Sequence, residues 1–125
     1  MAQTGKDGAY EVMEDFAKCA GLYNALAEHF IKFDAMEDVS ENMTGMSNGA
    51  EVTAMYFWSN YSDNPSVAIT GIVAITGIKE SNEIHFKSLL STNGLEQDSV
   101  ANPMARCGDL NQLQKMIIKE LRKTY

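Results

Sequence analysis

Between Gly8 and Phe33 the chain carries two apolar rows instead of one, and this restricts its fold more than any other feature. Met13, Phe16, Ala17, Ala20, Tyr23, Ala27 and Phe30 recur at the spacing of one helix face. Val12, Cys19, Leu22, Leu26 and Phe33 form a second row beside it. A helix that is apolar over two rows cannot bury both against one neighbour, so it needs a central position with several partners. The expected fold is therefore all-α: a small four-helix bundle in which residues 1–125 form a single domain. A chain of 125 residues can bury one core without metal or dense disulfides. Its 45% hydrophobic and 22% charged residues argue against disorder.

The other helices are less plain. From Asp34 to Gly49 the pattern dissolves into acids, Ser, Asn, Gly and Met, and reads as a loop or frayed extension. Asn48 with Glu51 makes a capping-box arrangement, which predicts a helix from there through Val52, Met55, Tyr56 and Trp58 to about Tyr61. Asp63-Asn64-Pro65-Ser66 stops it and can start the next helix, with Asn64 as cap and Pro65 in the first turn.

Val67–Ile72 is then repeated letter for letter as Val73–Ile78. Its β-branched content suits a strand, and Glu83–Lys87 alternates, so an α+β fold with a hairpin around residues 67–90 is the alternative. The Asn-Pro start, the Asn93-Gly94 stop and the weakness of a lone hairpin favour a helix, with a break near Gly77 to Ser81. Leu95 to Arg106 is polar and loop-like. Asp109 with Gln112 makes another capping box, and Leu110, Leu113, Met116, Ile117 and Leu121 form the stripe of a last helix. Lys115, Lys119, Arg122 and Lys123 crowd its C-terminal end, where positive charge complements the dipole.

Charge removes whole classes of partner. The net charge is -7, which disfavours nucleic acid or an anionic membrane surface, because phosphate contacts need a basic stripe. Residues 1–63 carry 11 acidic and 3 basic side chains, against 6 and 7 in residues 64–125. The basic end can dock on the acidic half, or an acidic face can meet a basic partner. The longest apolar run, Val67–Ile78, is too short to span a bilayer.

Cys19 and Cys107 are the only cysteines and lie most of the chain apart. No C-x-x-C or Cys/His cluster exists, so zinc-ribbon, thioredoxin-type and c-haem readings fail. The two are either buried free thiols or a pair that staples the last helix to the first. Met1 to Asp7 contains no apolar h-region and reads like a mature N-terminus behind a start Met, a small residue followed by polar ones. That would place the native protein in an oxidising compartment, periplasmic or secreted.

Phe16-Ala17-Lys18-Cys19-Ala20-Gly21-Leu22-Tyr23-Asn24-Ala25-Leu26, with Arg106-Cys107-Gly108-Asp109-Leu110, resembles uncharacterised small exported two-cysteine helical proteins of Gram-negative bacteria. In those, one cysteine lies in an aromatic- and Ala-rich first helix and the second opens the last. The resemblance covers about 25 residues at the two ends and leaves out the central repeat. It implies an exported, helical, disulfide-closed domain and no activity.

No nucleophile elbow, phosphate-binding loop or calcium-loop spacing occurs, so the expectation is a non-enzyme without cofactor or metal. Glu28 and His29, as helix neighbours, point about 100° apart, and His85 stands alone. Glu14/Asp15 and Glu37/Asp38 likewise cannot share a helix face and read as solvated acids. Met43-x-x-Met46 offers soft thioethers to Cu(I), although Met more commonly fills irregular cores. Met55, Tyr56, Phe57, Trp58 and Tyr61 crowd too many large groups into seven residues for one helix face. They are either core or a binding surface for a protein partner or a second copy. The functional expectation is protein binding or self-association, with a periplasmic small-molecule or copper carrier as the alternative.

Overall fold

The computed structural model describes residues 6–33, 35–61, 68–93 and 97–124. Four helices follow one another, α1 (Lys6–Phe30), α2 (Glu37–Tyr61), α3 (Ala68–Asn93) and α4 (Asp98–Thr124), with no strand among the described residues. The bundle is thus the expected one, and the hairpin around residues 67–90 does not form.

α1 is the central helix its two rows demand. Met13, Phe16, Ala17, Ala20, Leu22 and Leu26 are fully or almost fully buried, and Cys19 and Tyr23 nearly so. Tyr23 brings a cost with it: its hydroxyl is buried with no hydrogen-bond partner among the described residues, and burial pushes its pKa up. Tyr23→Phe is expected to stabilise the protein by about 1 kcal/mol, because it removes an unsatisfied polar group at constant shape. Thermal melting checks this, and a lower melting temperature would mean that the hydroxyl has a partner.

α2 is twice the length that the sequence suggested. The stretch expected to be a loop is helical from Glu37 onward, and Asn48 and Glu51 lie inside the helix rather than capping it. The reason is visible in its contacts. Ser40 Oγ donates to the Ala27 carbonyl at 2.8 Å, and Ser47 Oγ donates to the Ala20 carbonyl at 2.9 Å. Both spacings are seven residues, in opposite order, so α1 and α2 run antiparallel and are stitched by two buried hydroxyl bonds. Ala50 and Ala54 continue the same small-sided face, fully buried. A helix that packs through Ser and Ala shows no apolar stripe, so periodicity misses it. The connection before it turns through Ala35 at φ 72°, a left-handed conformation that is uncommon for a residue with a Cβ.

α3 packs on α1 in parallel: Asn82 Nδ2 donates to the Lys18 carbonyl, Glu83 accepts from Asn24, and Lys87 pairs with Glu28. The break foreseen near Gly77 to Ser81 is absent. Gly71 lies against the Trp58 indole of α2, and Ile75, Phe86 and Leu90 reach the core. The stop-and-start signal at Asp63 to Ser66 falls outside the described residues.

α4 begins well before the expected start, so Cys107 lies inside the helix and not ahead of it, and Asp109 with Gln112 caps nothing. Pro103 sits in its second turn and deprives the Ser99 carbonyl of an intrahelical donor. Helix order survives because α4 is held from outside, touching α3, α1 and α2 in turn. Gln97 Nε2 donates to the Leu89 carbonyl, Cys107 is bonded to Cys19, and the Gln114 amide fills the space beside Gly49. Val100 is fully buried, whereas Leu110, Leu113 and Ile117 of the expected stripe are only partly covered and Met116 is exposed; the Leu121 side chain lies outside the described residues.

Candidate functional site

The aromatic cluster turns mostly inward. Trp58 is buried, with its ring 6.3 Å from Tyr10. Phe57 stacks on Phe16 at 6.0 Å and is half-buried, as is Met55 against the same core. Tyr56, also half-buried, meets Phe57 edge-on at 5.2 Å. The Tyr61 side chain lies outside the described residues. Met43 and Met46 also pack on the core, and Met36 is exposed.

Among the described residues, exposed large apolar side chains occur on α3 and also at Ile31, Phe33, Met36, Val52 and Met116, but three of the eight, two of them the most exposed, are on α3. Ile72, Val73 and Ile84 are 52%, 67% and 70% exposed, values that belong to unpaired surface rather than to a core helix. The repeat explains the arrangement. Six residues advance a helix by about 240°, so the two VAITGI copies cannot face the same way. Gly71 of the first copy is covered by Trp58, whereas a Cβ on Gly77 of the second would meet no atom within 4 Å. Between Gly77 and the row Tyr10, Glu14 and Lys18 of α1 runs a shallow groove of about 520 Å³, with Val73 and Ile78 on its α3 side.

Several charged residues fasten helices to one another. Lys87 bridges Glu28 at 2.7 Å and Glu83 at 2.8 Å. Burial raises the Glu83 carboxyl, but hydrogen bonds from Lys87 and Asn24, with the charges of Lys87 and Lys79, outweigh it and leave its pKa low. The Glu28 and Glu83 hydrogen bonds hold the Lys87 ammonium above its ordinary value. Lys79 pairs with Glu51 at 2.6 Å, joining α3 to α2, and Arg106 pairs with Asp15 at 2.6 Å, joining α4 to α1. Glu37 and Asp38 stand in the first turn of α2, where they complement the helix dipole.

His29 rests edge-on against Phe30 and Phe33, and exposed His85 lies against Phe86. No group of three or more His, Cys, Asp or Glu among the described residues could hold a metal ion.

One feature escaped sequence reasoning altogether. The disulfide between Cys19 and Cys107, with Cα atoms 5.7 Å apart, forms part of the wall of an open groove of about 540 Å³ where α1, α3 and α4 meet. Its residues are scattered from Asp15 to Cys107, and only the cysteine pair hinted that these helices converge. No family model matches the chain, and neither does any curated protein or solved structure.

Proposed function

We infer that this protein is a non-catalytic, exported binding protein that works by self-association through the outer face of α3. The observation that carries this reading is the exposure of Ile72, Val73 and Ile84 on a helix that is largely apolar from Gly71 to Ile78 but covered there on one side only. A helix of that composition is normally buried on every face. Gly77 leaves the backbone open to close approach, and the groove beside it accepts a second helix. One face offering both a ridge and a groove suits a two-fold dimer, in which the same patch serves both copies. The Cys19–Cys107 bridge supports an oxidising compartment, in line with the resemblance to small exported proteins of Gram-negative bacteria. No helix among the described residues is long and apolar enough to cross a membrane.

Sedimentation equilibrium over a range of concentrations tests the reading. The natural chain is expected to dimerise, and Val73→Lys is expected to weaken the dimer at least about tenfold, since a buried unpaired ammonium costs more than 1.4 kcal/mol. Val73 is exposed in the single chain, so the melting temperature of the dilute variant should not change. A chain that stays monomeric at every concentration would overturn the proposal.

A further inference from the structure

We propose that the groove over the Cys19–Cys107 disulfide binds a small amphiphile with an apolar body and a single anionic head, of the class of medium-chain monocarboxylates. Its volume of about 540 Å³ lies within the range of small-molecule sites. The floor is apolar: Leu22 is fully buried, and Phe86 and both half-cystines are nearly so. The banks are polar, with Lys18 and Asn82 on one side and Ser99, Asn102 and Arg106 on the other.

Charge decides which head group fits. Asp15 is the single carboxylate lining the groove, and Arg106 Nη2 neutralises it at 2.6 Å from Oδ2. The Lys18 ammonium makes no ion pair or hydrogen bond among the described residues, so it can turn to an anionic head, with Glu14 one turn earlier on α1 facing the adjoining groove as its competitor. The net charge of -7 does not cancel this preference. Exposed charges farther than about 8 Å from the bound head are largely screened at physiological salt, so the head senses chiefly the rim. An apolar chain on the disulfide and Phe86 with its carboxylate at Lys18 uses both halves of the site.

The groove exists only while α4 is held against α1, because one bank belongs to α4. Binding should therefore depend on the bridge, a property that the α3 face does not share.

The test is titration calorimetry of decanoate into the oxidised protein, with amide chemical shifts to locate the ligand. The expected result is saturable binding with shifts at Lys18, Asn82, His85 and Asn102. Lys18→Gln should weaken it by about threefold to tenfold, the effect of one surface charge. Ser99→Trp, which fills the groove from an exposed position, should abolish it, while Ile72→Lys, on the α3 face and outside the lining of both grooves, should leave it unchanged. Lys18 and Ser99 are both exposed, so their replacement does not disturb the core. Decanol binding as tightly as decanoate, shifts centred on Ile72 and Val73, or no saturation by millimolar decanoate would each overturn the proposal.

Discussion

Replacing both Cys19 and Cys107 by alanine is expected to cost about 4–5 kcal/mol, the chain-entropy value for a loop of this length. The bridge joins residues 88 apart in sequence, so it removes a large share of the unfolded chain's freedom. In the folded state it has a second role, because α4 is otherwise held thinly. Its Arg106–Asp15 pair is mostly solvent-exposed on the arginine side and contributes at most about 1 kcal/mol. Among the described residues, Val100 and Gln114 are its other buried side chains besides Cys107. The loss should therefore be uneven. Amide exchange should accelerate first along α4, while α1 and α2, locked by Ser40 and Ser47, stay protected. Urea denaturation gives the total and hydrogen exchange gives the distribution. A loss below about 1 kcal/mol, with α4 still protected, would show that its own packing holds it in place.

The contrast between α1 and α2 shows what a sequence exposes and what it hides. α1 was legible within three residues at each end because its buried positions are large and apolar. α2 was half hidden because its first half meets α1 through Ser40 and Ser47, in a stretch whose acids, Ser, Asn and Gly resemble a loop. Its serines are stable there because the Ala27 and Ala20 carbonyls accept hydrogen bonds from their hydroxyls, partnerships across 13 and 27 residues that no local window spans. The start of α4 was hidden by Pro103 and by a polar surface that the disulfide and Val100 hold in place.

The candidate sites divide in the same way. The VAITGI repeat announced an unusual segment, but its β-branched content left strand and helix both open. Which of its two glycines would be covered depended on where Trp58 falls. The aromatic crowding from Met55 to Tyr61 left core and binding surface both open, and Phe57 and Trp58 turn inward because Phe16 and Tyr10 of α1 take up their rings. The disulfide groove carries no local signature, since its lining comes from three helices and acquires meaning only through their crossing.

That crossing leads to the most damaging single methyl group. Gly21→Ala is expected to destabilise the protein by about 2–3 kcal/mol, although alanine ordinarily stabilises a helix by about 1 kcal/mol relative to glycine. A Cβ on Gly21 would overlap the Lys79 carbonyl oxygen and lie 2.9 Å from the Glu83 nitrogen and 3.0 Å from the Asn82 Cβ. Two of these are backbone atoms and the third is a Cβ, so no side chain can swing aside; α3 itself has to move. Gly77→Ala supplies the control, because nothing stands within 4 Å of its Cβ, and in dilute protein it should gain up to about 1 kcal/mol. Paired denaturation curves of the two variants test the parallel contact of α1 with α3 directly. Equal stabilities would mean that the helices do not approach at Gly21. The displacement has a functional readout too: Asn82 donates to the Lys18 carbonyl at 2.8 Å, and both residues border the disulfide groove. Pushing α3 outward at Gly21 should therefore pull that bank from Lys18 and weaken carboxylate binding in Gly21→Ala, while Gly77→Ala keeps it.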